Sequence, residues 1–114
     1  GSLYLTIGLR PHPFYRVEGR DILLELPLTP WEAALGAQVP TPTLGGTTTV
    51  TIPPNSRDGQ RMRLRGRGLP GTPPGDQYVT IKLTMPPTTN DQAKVLWQSL
   101  AAASPYNPRN NFPV

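Results

Sequence analysis

At 114 residues the chain has room for one domain with appendages and not for two full cores. Sixteen prolines, eleven glycines and a hydrophobic content of 36% argue for a thin sandwich of short strands and turns, and against a helical bundle. With no cysteine, disulfides and thiolate metal sites are excluded and an intracellular, cytoplasmic setting is expected; the net charge of +4 permits an anionic partner without requiring one, and no run approaches the roughly 18 apolar residues of a membrane span.

The opening Gly1-Ser2 reads as a cloning remnant, and the parent protein is expected to be longer. Leu3, Leu5, Ile7 and Leu9 alternate with Tyr4, Thr6 and Gly8, which predicts a strand from the first residues. Two prolines in Arg10 to Pro13 end it and mark a linker or a corner. Asp21 to Leu28 predicts the next strand, with Ile22, Leu24, Leu26 and Leu28 on one face and Leu23 and Glu25 on the other.

Thr29 to Gly36 then predicts a helix of about two turns. Thr29 is placed as N-cap, Pro30 as the first helical residue, Glu32 as the closing member of a capping box and Gly36 as the stop. Such a short helix needs tertiary support, so Trp31, Ala34 and Leu35 are expected to pack on a sheet. Ala37 to Leu44 is extended again; Pro40 and Pro42, two residues apart, remove donors from one side only and so predict an edge strand. Gly45-Gly46 is the expected hairpin turn, followed by a β-branched strand from Thr47 to Ile52.

Arg61, Arg63, Arg65 and Arg67 recur at every second residue around Met62 and Leu64, which predicts a strand with a basic outer face and an apolar inner one. A glycine-proline loop separates it from the strand in which Tyr78, Thr80, Lys82 and Thr84 alternate with Val79, Ile81, Leu83 and Met85. After Pro86-Pro87, a helix from Asn90 to Ala103, with a capping box of Thr89 and Gln92, carries Ala93, Leu96, Trp97 and Leu100 on one face. The division by residue number is 1–10 as the last strand of a preceding domain or a linker, 11–87 as a β-sandwich domain, 88–104 as a dimerisation helix and 105–114 as a flexible tail.

Nothing in the sequence assembles catalytic chemistry. The single histidine, His12, lies between prolines, the seven acidic residues are scattered, and neither a phosphate-binding nor a dinucleotide-binding glycine pattern is present. A non-enzymatic protein without cofactor or metal is expected.

The order HPFYRVEGRDILLELPLTPWEAALGAQVPTPTL, TVTIPPNSRDGQRMRLRGRGLP and GDQYVTIKLTMPP resembles the second C-terminal β-domain of DnaJ-type co-chaperones. PWEAALG, LWQSLA and YNPR are similar to the class II branch of curved DNA-binding protein A. The resemblance implies an all-β sandwich with one short inserted helix and a C-terminal helix, a homodimer, partnership with DnaK, unfolded polypeptide clients, curved DNA and a nucleoid association. It also implies that 1–10 resembles the last strand of a first, similar domain. The His-Pro-Asp signature through which such proteins stimulate DnaK is not matched, since His12-Pro13 continues with Phe14, and Pro40 departs from the family's edge strand.

Three surfaces follow. Val39 and Leu44 are candidates for the rim of a client groove, weighed against a role in closing the core, which is the favoured reading. Arg61, Arg63, Arg65 and Arg67 are candidate DNA contacts, weighed against a solvated strand face, again favoured; they also support an alternative in which the chain is a free-standing nucleoid or DNA-binding module. Leu96, Trp97 and Leu100 are the candidate dimer joint, favoured over a helix folded back on its own sheet.

Overall fold

The computed structural model describes residues 15–87 and 90–113. The strand expected over Leu3 to Leu9, the Arg10–Pro13 corner and Thr89 lie outside the described residues. In chain order the elements are β1 (Tyr15–Glu18), β2 (Asp21–Leu28), α1 (Pro30–Leu35), β3 (Ala37–Thr43), β4 (Gly46–Ile52), β5 (Arg61–Leu64), β6 (Gln77–Leu83) and α2 (Asp91–Ala103).

They form the all-β sandwich that the alternating patterns predict. One sheet has the order β1-β2-β6-β5 and the other is the β3-β4 hairpin. β2 and β6 run parallel, from Ile22 opposite Gln77 to Leu28 opposite Leu83, and the remaining pairs are antiparallel. A parallel pair needs a long crossover; here that connection holds α1, the β3-β4 hairpin and β5. The second sheet is thus delivered over the face of the first. Leu24, Leu26 and Leu28 of β2 and Val79 and Ile81 of β6 meet Val50 and Ile52 of β4 in one buried cluster, with Tyr15, Val39, Met62 and Leu64 packed on its margin. Each buried aliphatic side chain contributes about 1.5–3 kcal/mol relative to exposure.

α1 forms as the capping signals dictate. The Glu32 carboxylate accepts from the Thr29 N–H at 3.0 Å and from the Thr29 hydroxyl at 2.9 Å. Gly36 ends the helix at φ +84, where a Cβ would stand 2.9 Å from the Ile52 carbonyl oxygen. The packing face differs from the expected one. Ala33 is the buried residue, whereas Trp31 is 50% and Leu35 77% exposed, and Ala34 is exposed too. Six residues offer too little surface for a full stripe, and the helix is held instead through its backbone: Asn55 and Ser56 donate N–H groups to the Ala34 and Ala33 carbonyls.

Further boundaries differ from the sequence pattern. β1 has no counterpart in it, because four residues carry too little periodicity to register. The hairpin turn is Leu44-Gly45, since Gly46, at φ +118, already pairs with Thr43. β5 stops at Leu64, and Arg65-Gly66 form a turn with Gly66 at φ +73, so Arg65 and Arg67 do not continue the strand face. The α2 cap is Asn90 rather than Thr89: the Asn90 side chain accepts from the Ala93 N–H at 2.7 Å, and asparagine is at least as good an N-cap as threonine.

Candidate interaction surfaces

The arginine run divides by environment. Arg63, on β5 opposite Tyr78, donates through Nε to Asp76 at 2.9 Å and forms an ion pair with the same carboxylate oxygen at 2.8 Å. The other oxygen of Asp76 accepts from the Gly66 N–H at 2.8 Å. That backbone bond, followed by the Arg63 guanidinium and the charge of Arg65, holds the Asp76 carboxyl below the usual carboxylate range. Arg61 stacks over the Tyr78 ring, its Cζ 5.2 Å from the ring centroid. Arg67 lies beside Gly45 at the tip of the β3-β4 hairpin. Arg61, Arg65 and Arg67 are exposed and have no ion pair among the described residues.

Below this run, the glycine-proline loop is fastened to the turn between β1 and β2. Leu69 N–H donates to the Arg20 carbonyl at 2.8 Å, and the Arg20 guanidinium donates to the Pro73 carbonyl at 2.7 Å. A Cβ on Gly75 would stand 1.8 Å from the Arg20 carbonyl oxygen, so only glycine admits this contact.

Val39 and Leu44 are both half-buried. Val39 packs on the core cluster, Leu44 sits in the turn, and between them lies about 13 Å of strand. The outer edge of β3 is partly occupied. β3 and β4 keep a continuous register in which Pro40 faces Thr49 and Pro42 faces Thr47. Proline cannot serve in a hydrogen-bonded pair, so Val39, Thr41 and Thr43 exchange the ladder bonds and the proline nitrogens point away from β4. On that outer side the buried Gln77 side chain donates from Nε2 to the Pro42 carbonyl at 3.0 Å, tying β6 to β3.

An apolar groove of about 700 Å³ lies between the two helices and the tail. Pro30, Trp31 and Leu35 of α1 form one wall, Trp97 and Leu100 of α2 the other, and Tyr106 borders both. α2 has no buried residue; Leu96 is 62% and Leu100 54% exposed, and Trp97 is half-buried. The exposed Trp31 and Leu35, missed as part of this surface in the sequence, were signalled only by helical spacing that equally suits a core face. The tail contributes through turns, with Phe112 N–H donating to the Arg109 carbonyl at 3.0 Å. Among the described residues there is no cluster of three metal-ligating side chains, and no helix long and apolar enough to cross a membrane.

A two-sheet β-sandwich is the type of fold of a DnaJ C-terminal domain, and the model of that family matches residues 1–86. The chain belongs to the DnaJ C-terminal domain family. Among similar proteins is the Curved DNA-binding protein of Coxiella burnetii, 58% identical over 112 residues that cover 98% of this chain and 36% of that protein. Those of Pseudomonas putida and Serratia proteamaculans are 45% and 46% identical over 114 residues, covering 98% of this chain and 36% and 37% of theirs. The chain therefore spans little more than a third of the relatives' length, and α2 and the tail, beyond the family match, are within the part shared with them.

Proposed function

We propose that this chain is the substrate-handling and dimerisation part of a DnaJ-like co-chaperone, which delivers unfolded polypeptides to DnaK and binds curved DNA in the nucleoid-associated cytoplasm, with no catalysis of its own. The observation that carries the reading is α2. A helix of 13 residues is marginal in water by itself, and this one leaves Leu96 and Leu100 in solvent beside the Trp31-Trp97 groove. The proposed partner for that surface is a second copy of the chain, related by a twofold axis so that each copy supplies the same helix and groove. Pairing gives the parent protein two client-handling arms, and the second arm binds at the high effective concentration set by the first. Contact with DnaK is assigned to a J-domain outside this chain.

Binding of curved DNA is supported by the name carried by the relatives and by the exposed Arg61, Arg65 and Arg67. We assign no side chain to base readout, so any preference among duplexes follows shape or bendability. A free-standing DNA-binding module would need the arginines but not the pairing of α2, which separates it from the co-chaperone reading.

The test uses the full-length protein. Leu100→Asp places a charge in the proposed joint, and the resulting monomer should suppress aggregation of a chemically unfolded client about tenfold less well than wild type. A monomeric variant that suppresses aggregation as well as wild type would remove the functional reason for pairing.

A further inference from the structure

Gln77 is a polar side chain in an apolar core, and only part of it is satisfied. It is the first residue of β6, flanked by Ile22 on β2 and by Leu64 on β5, and it is fully buried on the face that carries Val79 and Ile81. The other buried polar residue described, Thr41, settles its hydroxyl within its own strand, donating to the Val39 carbonyl at 3.2 Å. Gln77 instead donates from Nε2 across the sandwich to the Pro42 carbonyl at 3.0 Å, while its buried Oε1 has no hydrogen-bond partner among the described residues. That pairing sets the orientation of the amide, because turning it over would aim Oε1 at the Pro42 oxygen. The amide is a poor source of stability, since an acceptor buried without a partner costs more than one made bond returns. A methionine or leucine in its place would remove the orphan oxygen, and Pro42, which is exposed, would leave its carbonyl to solvent.

We propose that Gln77 is a conformational latch, whose bond to Pro42 holds the tip of the β3-β4 hairpin in one position on the four-stranded sheet at a cost in overall stability. What an apolar side chain cannot supply there is direction. The aliphatic side chains of β2, β4 and β6 hold the two sheets together by contacts that tolerate sliding, whereas a hydrogen bond fixes a point. That point lies at the tip end of the hairpin, two residues before Leu44, and beside the end of β5, because Gln77 is the register partner of Leu64. The Arg67 guanidinium is the neighbour of the tip, 3.8 Å from the place of a Gly45 Cβ. The latch thereby joins two parts that the sequence keeps apart, the turn of the hairpin and the end of the arginine run. Without it the hairpin keeps its own ladder and its place over the core, and the tip exchanges between positions.

The experiment combines nuclear magnetic resonance and thermal unfolding on the intact chain, with Gln77→Met and Gln77→Leu beside the wild type. In the wild type a scalar coupling through the hydrogen bond should link Nε2 of Gln77 to the carbonyl carbon of Pro42, and the amides of Gly45, Gly46 and Arg67 should show no millisecond exchange. Both variants should melt about 4–8 °C higher. In both, relaxation dispersion should reveal millisecond exchange at the same three amides. Variants that melt lower, or that do not fold, would make the amide an ordinary stabilising contact and overturn the proposal. A higher melting temperature with a static tip would show that apolar packing alone positions the hairpin, and would overturn it as well. A wild type without the coupling, or with the tip already in exchange, would contradict the latch directly, whatever the variants do.

Discussion

Arg63 and Asp76, thirteen residues apart, meet at 2.8 Å beside the end of β5, and the same carboxylate holds the Gly66 N–H that turns the chain away from the sheet. This contact neutralises one member of the arginine run and fixes the point where the strand face ends. Of four arginines in sequence, three have no ion pair among the described residues.

The DNA reading is therefore quantitatively altered. Three phosphate contacts give a slope of log K against log salt of about −2.7 on a duplex, in place of the −3.6 or so of four contacts. Arg63→Ala should leave the slope unchanged, whereas Asp76→Asn, which releases Arg63, should steepen it by about 0.9. A salt series by fluorescence anisotropy measures both; a slope that shrinks in Arg63→Ala would place that side chain on the phosphates after all.

Asp76 also predicts the acid limb of the stability curve. Its folded pKa lies below the ordinary value of 3.8, first through the Gly66 N–H and then through Arg63. The contribution to stability is therefore fully present above the unfolded pKa and is lost as pH falls through the folded one. The difference in melting temperature between wild type and Asp76→Asn should be constant near neutrality and shrink below about pH 4. A difference that persists unchanged to pH 2 would contradict the assignment.

Gly75 and Gly45 make a matched pair for the loop. A Cβ at Gly75 collides with the Arg20 backbone, whereas at Gly45 its nearest neighbour is the end of Arg67 at 3.8 Å. Gly75→Ala should cost on the order of 3 kcal/mol in urea unfolding, and Gly45→Ala under about 0.5. Equal effects would mean that the loop does not lie against the Arg20 turn.

Leu28 and Leu35 separate folding from association. Leu28 is 2% exposed and Leu35 77%. Leu28→Ala should lose about 2–5 kcal/mol of stability, while Leu35→Ala should leave unfolding at low protein concentration within about 0.5 kcal/mol and weaken self-association.

Most of the sandwich was readable because its signals are local. The alternation of Ile22, Leu24, Leu26 and Leu28 gives β2 and its buried face, and the Thr29-Glu32 box gives the start of α1. The spacing of Pro40 and Pro42 gives an edge strand. What was not readable depends on distant partners. The parallel pairing of β2 with β6 joins residues 55 apart, and the end of β5 depends on Asp76, so the arginine spacing alone overextends the strand. The exposed face of α1 was misassigned because Trp31 and Leu35 have the same spacing whether they meet a sheet or a second protein surface. In the candidate surfaces, Leu96 and Leu100 were visible as a stripe, but the Trp31 wall opposite them is a product of the fold.

Whether α2 joins two chains is read most directly from the mass in solution. Sedimentation equilibrium over a wide range of protein concentration should give wild type at twice the 12.4 kDa chain mass and Leu96→Asp/Leu100→Asp at the chain mass, with matching circular dichroism from the sandwich. Wild type sedimenting at 12.4 kDa throughout, or the double variant keeping the doubled mass, would contradict it.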